Sequence, residues 1–242
     1  MAGCAGKASS QAPTTSETGV VAQAEATAVT TDVDLTALTL PVPPLAAKVA
    51  LNRLLVGNRR FVTSRMTHTD QSPARVKAVA LKQKPFAVIL ACADSRVSPE
   101  VVFDQGLGDV FVLRVAGNIL DDSLLGSIEY GVEHLGAPLV MVLGHERCGA
   151  VSATVDAVKT NSKPTDHVLS LVDAIWPVVI AVQAQNKPAA DLVENVVTAN
   201  ARWTAHQVLT RSDTLHEKAT AGELGIVAAR YDLDQGQVTV LH

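Results

Sequence analysis

The chain has 242 residues, 48% of them hydrophobic, enough to bury a substantial core but short for two full domains. Its aromatic residues are four Phe, two Trp and two Tyr, so the core must be built from Ala, Val and Leu, and no aromatic platform for single-stranded nucleic acid is expected. Lys and Arg number 20 against 24 Asp and Glu, and the net charge of −4 carries no footprint for a nucleic-acid partner. No apolar run reaches the roughly 18 residues of a membrane span. Three cysteines are too few, and odd in number, for a disulfide framework, so a metal site or a nucleophile is the chemistry to seek in them.

In chain order, residues 1–44 are rich in Ala, Thr, Ser, Gln and Glu, show no sustained period, and end in Pro41-Val42-Pro43-Pro44. They read as a disordered low-complexity tether, leaving 45–242 as the folded domain. The opening Met1-Ala2-Gly3-Cys4 resembles the end of a bacterial lipoprotein cleavage box. If the reading frame extends upstream, it predicts a lipid anchor through Cys4 and a cell-envelope or periplasmic protein; with Met1 as the true start the protein is cytoplasmic.

From Leu45 the apolar residues Leu45, Val49, Leu51, Leu54, Leu55 and Phe61 share one broad helical face, predicting an amphipathic helix over 45–64 suited to lie across a partner subunit. Phe86 to Ala91, Val110 to Val115 and Leu139 to Leu143 are short apolar runs without alternation, as for strands buried on both faces of a parallel sheet. A helix is expected over about 122–135 between the second and third runs. Long helices follow at about 149–160, 166–186 and 189–211, the second kinked or divided by Pro177. Gly225 to Tyr231 and Gln237 to Leu241 form a hairpin at the sheet edge. The fold class is α/β, a mostly parallel sheet flanked by helices.

In such a sheet ligands gather at the carboxyl ends of the strands, and the polar residues follow that rule. The first strand runs into Cys92-Ala93-Asp94-Ser95-Arg96, the third into Gly144-His145-Glu146-Arg147-Cys148-Gly149. Two thiols and an imidazole are a recognised zinc environment that leaves one position for water or substrate. Buried structural cysteines and a locally bonded histidine would satisfy the same spacing. Asp94 and Arg96, at i and i+2 on extended chain, can pair as a charge-assisted clamp.

The run Cys92 to Pro99, the downstream Gly108 to Arg114, Ser127-Ile128-Glu129-Tyr130, and Gly144 to Ala150 together resemble the β-class carbonic anhydrases, over about 45–241. The resemblance implies one Zn2+ per subunit on Cys92, His145 and Cys148, with Asp94 and Arg96 as the catalytic dyad. It implies reversible hydration of CO2 to bicarbonate and a proton, through a hydroxide that zinc makes available near neutral pH. A carbon disulfide or carbonyl sulfide hydrolase on the same zinc set, or a silent zinc scaffold, are the alternatives. Gln83, Phe111 and Tyr130 match the plant-like active-site style of the family, often contributed from the neighbouring subunit, with Gly149 beside the last zinc ligand on the substrate side. Ile89 stands where the other style has the Trp of an inhibitory bicarbonate pocket. A homodimer or homotetramer is implied. His134, four residues after Tyr130 and so on the same helix face, is a candidate proton relay.

Overall fold

The computed structural model describes residues 33–185 and 192–242. The expected tether before 33, with Cys4, lies outside the described residues. Among the described residues, five strands form one sheet in the order β2-β1-β3-β4-β5: β1 (Ala87–Ala91), β2 (Val110–Arg114), β3 (Leu139–His145), β4 (Gly225–Tyr231) and β5 (Val238–Leu241). The first four are mutually parallel where they pair, and β5 closes the sheet antiparallel to β4, the expected edge hairpin. Every residue of β1 and β3 is buried.

The alternation along these strands sorts their side chains into two cores. Val88, Leu90, Val140, Val142, Ile226 and Ala228 face α4 (Asp122–Glu133), α7 (Leu192–Thr210) and α8 (Asp213–Thr220). Ile89, Met141, Leu143 and Val227 face α1 (Leu45–Val62) and the single turn α3 (Pro99–Val102), against Leu54 and Phe103. A third core joins α5 (Gly149–Thr160), α6 (Val168–Ala184) and α7 through valines such as Val155, Val178 and Val196, and it includes Cys92 and Cys148.

Two expectations need correction. Residues 33–44, placed in the tether by composition, lie against the fold: Val33 and Leu38 are buried, and Leu35 and Leu40 pack on two of the cores. Their apolar residues have no regular period because they cover a surface already built rather than forming an element. Of the two outcomes expected at Pro177, a kink or a division, α6 is not divided: it runs from Val168 to Ala184 through the proline, which is itself buried. Its valines, packed on α5 and α7, offset the roughly 3 kcal/mol that an interior proline costs a helix. Two short helices were also absent from the periodic reading, α2 (Pro73–Val79) and α8. Each is announced by a serine cap: Ser72 accepts from Arg75 N with Pro73 at the first helical position, and Ser212 accepts from Leu215 N.

Among the described residues no helix is long and apolar enough to cross a membrane. Asn58, buried in α1, donates to the carbonyls of Val102 and Gly236 and accepts from Val238 N, so one side chain ties α1 to α3 and to the terminal hairpin.

Candidate metal centre and active site

β1 and β3 are neighbours and parallel, so their carboxyl ends emerge side by side. Cys92 follows the last residue of β1, and His145 is the last residue of β3. Arg147 then takes a left-handed conformation, φ 50°, which turns the chain sharply and brings Cys148 to the N-cap of α5. That turn is held by Asp234, bound by two Arg147 nitrogens at 2.9 and 2.7 Å, and by Glu194, which accepts from Arg147 N at 2.8 Å. Glu146 pairs with Arg230 at 2.6 Å. Glu146, Asp232 and Asp234 lie close together, but these ion pairs and backbone N–H groups engage them, and they brace the loop.

Cys92, His145 and Cys148 are all buried, and their ligand atoms lie within 4.8 Å of one another. The two sulfurs are 3.9 Å apart. Two thiolates on one tetrahedral zinc, each at about 2.3 Å, stand roughly 3.8 Å apart, so the pair already has metal-ready spacing. His145 Nδ1 faces the Glu146 carbonyl at 2.8 Å, which puts its proton on that nitrogen. Nε2 is fully buried with no hydrogen-bond partner. A buried imidazole nitrogen left bare is costly, and a cation between it and the two sulfurs removes the cost. The donor set fits a metal. Left to themselves the two sulfurs share one proton: bonding to Cys148 pulls Cys92 down toward the thiolate, while Cys148 is pushed up.

Asp94 sits at the mouth of this group, its Oδ2 3.9 Å from His145 Nε2. Arg96 binds it with a two-pronged grip, Nε to Oδ1 at 2.9 Å and Nη2 to Oδ2 at 2.7 Å, and adds a backbone N–H at 3.0 Å. The Arg96 hydrogen bonds hold the Asp94 carboxyl well below the usual carboxylate range, so it is an acceptor at any working pH.

Gln83, Phe111 and Tyr130 do not join this group. Phe111 and Tyr130 meet each other, ring centroids 6.2 Å apart, and Tyr130 lies 5.1 Å from His134. Gln83, Tyr130 and His134 line a groove of about 660 Å³ with Leu107 and Gly108, at the amino end of the sheet. β1 lies between that groove and Cys92, a rise of roughly 16 Å for five residues. Gly149 is the exposed first residue of α5, and a Cβ there would meet nothing within 4 Å, so its surroundings are open.

Three residues near the site escape the motif reading. Arg114, at the end of β2, donates to the carbonyls of Cys92 at 3.0 Å and Asp94 at 2.6 Å, pinning the loop that carries both. Gly117 donates its N–H to Cys92 Sγ at 3.3 Å. Asn200, on α7, binds the Gly117 carbonyl at 2.8 Å. Only Arg114 lies in a recognised run of sequence, and the other two contacts depend on packing.

A parallel sheet that gathers Cys, His and Cys at its carboxyl edge beside an Asp-Arg clamp defines a β-class carbonic anhydrase. The family model for carbonic anhydrase matches residues 87–238, and the chain belongs to that family. It is 41% identical over 197 residues to carbonic anhydrase 2 of Mycobacterium tuberculosis, covering 81% of this chain and 92% of that one. It is 30% identical over 185 residues to a carbonic anhydrase of Pseudomonas aeruginosa, covering 71% and 81%. Among solved structures it resembles the tetrameric β-carbonic anhydrases of Sordaria macrospora, with TM-score 0.63, 20% identity, and coverage of 80% and 97%. The chain is an enzyme that interconverts CO2 and bicarbonate.

Proposed function

We propose that Cys92, His145 and Cys148 hold one zinc ion per subunit and that Asp94, fixed by Arg96, orients the nucleophile that adds to CO2. The observation that carries this reading is the bare, buried Nε2 of His145 beside two sulfurs at metal-ready spacing. Zinc bound there supplies hydroxide near neutral pH by acidifying a water. Asp94 is ionised and so only accepts hydrogen bonds. It takes the O–H of the nucleophile and leaves a lone pair aimed at the carbon of CO2. Arg96 keeps Asp94 from swinging toward Cys92, His145 and Cys148, where its carboxylate would compete with water for the metal those residues would hold. Metal analysis beside stopped-flow CO2 hydration tests the assignment: one zinc per chain with activity at pH 8.5 supports it, and a metal-replete but inactive protein overturns it.

Gln83, Phe111 and Tyr130 we assign to the substrate side of a site completed by a second copy, with Gln83 donating to a bicarbonate oxygen and the two rings walling a CO2 slot. Their separation from Cys92 within one chain supports that reading. So do the exposed apolar residues around them, Val76, Leu81 and Leu107, and the exposed Leu45 and Val49 of α1. The minimal unit is then a dimer, which two dimers extend to a tetramer as in the fungal relatives named above. His134, exposed beside Tyr130, is placed to pass protons to solvent. Light scattering tests the assembly, and a fully active monomer at micromolar concentration contradicts it. For location we retain the envelope reading of Met1-Ala2-Gly3-Cys4, tested by the mass of the N-terminal peptide; an unmodified Cys4 in a cytosolic fraction reverses it.

A further inference from the structure

Gly117 occupies a turn, residues 116–118, that lies against Cys92, with the Gly117 N–H 3.3 Å from the Cys92 sulfur. Its φ of +73° is the left-handed region, and a Cβ there would come within 2.7 Å of Ile175 Cδ1 and 3.1 Å of Ala150 Cβ. The turn is therefore pressed between α5 and α6 with its N–H directed at the Cys92 sulfur. Its carbonyl faces α7, where the buried Asn200 amide holds it at 2.8 Å. α7 reaches this position because Gly144 lets it close on β3: a Cβ at Gly144 would stand 3.2 Å from Ala201 Cβ and 3.5 Å from the Val197 carbonyl. Asn200 is thus a polar side chain set beside Val196, Val197 and Ala201, a position where packing alone favours an apolar residue.

We propose that Asn200 is a positioning residue for the metal centre: by clamping the Gly117 carbonyl it holds the 116–118 turn so that the Gly117 N–H stays on the Cys92 thiolate. The inference rests on the zinc assignment above. A hydrogen bond to a ligating sulfur draws charge from it, weakens its donation to the metal and fixes its direction, and outer partners of this kind carry about 10- to 100-fold in metal affinity or activity. With two thiolates in the set, the charge they would give the metal is large, and the Gly117 N–H would temper one of them.

The test compares the metal-loaded parent with Asn200→Leu, which fills the space without a donor, and Asn200→Ser, whose short side chain cannot reach the carbonyl but needs no extra room. Two readouts are taken on each folded protein. One is the rate at which zinc is lost to a competing chelator. The other is the thiolate-to-metal charge-transfer band of the cobalt(II)-substituted enzyme. We expect zinc loss about tenfold faster in both variants, because the Cys92 side chain is no longer held in direction, and the band at longer wavelength, because a sulfur relieved of its N–H gives up charge more readily. A folded variant with the parent's band and zinc-loss rate overturns the proposal. Failure of both variants to fold makes Asn200 a packing residue and overturns it equally. If the parent itself binds neither metal, it is the zinc assignment that fails.

Discussion

Arg96 grips Asp94 through two parallel hydrogen bonds, 2.9 and 2.7 Å, and the carboxylate oxygen that takes the shorter one is also the oxygen 3.9 Å from His145 Nε2. Both partners are partly open to solvent, so the pair adds little to stability and its value lies in direction. Replacing Arg96 with Ala therefore leaves the fold and bound zinc in place and lowers CO2 hydration by roughly 100-fold, since the orientation of Asp94 is lost. Arg96→Lys recovers only part of the rate, because an ammonium cannot reproduce the fork. Stopped-flow kinetics at fixed zinc occupancy decide it, and an unchanged kcat in Arg96→Ala would show that Asp94 needs no partner.

The ligand set and the dyad separate by metal content. Cys92→Ser or Cys148→Ser loses zinc together with activity, because each removes a thiolate from a three-residue set. Asp94→Asn retains zinc and loses most turnover, because the amide can donate where only an acceptor serves. Zinc analysis beside kinetics checks both. Equal zinc loss in Asp94→Asn would make Asp94 chiefly structural.

Since Gln83 and Cys92 stand at opposite ends of β1, inactive variants of each can complement one another. A mixture of Gln83→Ala and Asp94→Asn subunits, exchanged at equal amounts, contains dimers with one intact site. It should recover about a quarter of the parent activity, from half of the dimers with one good site of two. Recovery of nothing after proven subunit exchange would place Gln83 in the same subunit's site or in none.

Asp104 has a fully buried side chain and accepts hydrogen bonds from Arg60, from Thr67 N and Oγ1, and from His68 N, tying α1 and the following loop to the turn after α3. Burial works to raise its pKa, but the bonds from Thr67, Arg60 and His68 outweigh it and hold the group down to about 2. Its contribution to stability is therefore complete above the unfolded value of roughly 4 and is lost as pH falls toward 2. Asp104→Asn should destabilise the protein by about 3 kcal/mol at pH 7, leaving Arg60 without its anion. The gap between parent and variant should narrow when urea unfolding is repeated at pH 3 at the same protein concentration. A gap of equal size at both pH values would assign the effect to packing.

Much of this molecule follows from local pattern. Unbroken apolar runs at 86–91 and 139–143 read as strands covered on both faces, the rule that polar residues collect at the carboxyl ends of parallel strands then sets Cys92 and His145 at one edge, and the pairing of β1 with β3 brings them side by side. Both statements depend on neighbours in the chain and on strand geometry, so sequence by itself determined the parallel strands, the shared edge of Cys92, His145 and Cys148, and the i, i+2 placing of Asp94 and Arg96, while the 3.9 Å spacing of the two sulfurs came with the fold. The short helices α2 and α8 were legible only as serine caps, too brief to show a period. Val33, Leu35, Leu38 and Leu40 carry no period at all, because they pack on a surface that exists only after the rest has folded. Tertiary structure alone decided that Gln83 and Tyr130 lie at the far end of the sheet from Cys92, since strand direction, and not chain distance, sets which edge a residue reaches. It also decided that Gly117 meets the Cys92 sulfur and Asn200 holds Gly117. That arrangement needs α7 to close on Gly144, a contact between surfaces that no spacing along the chain encodes.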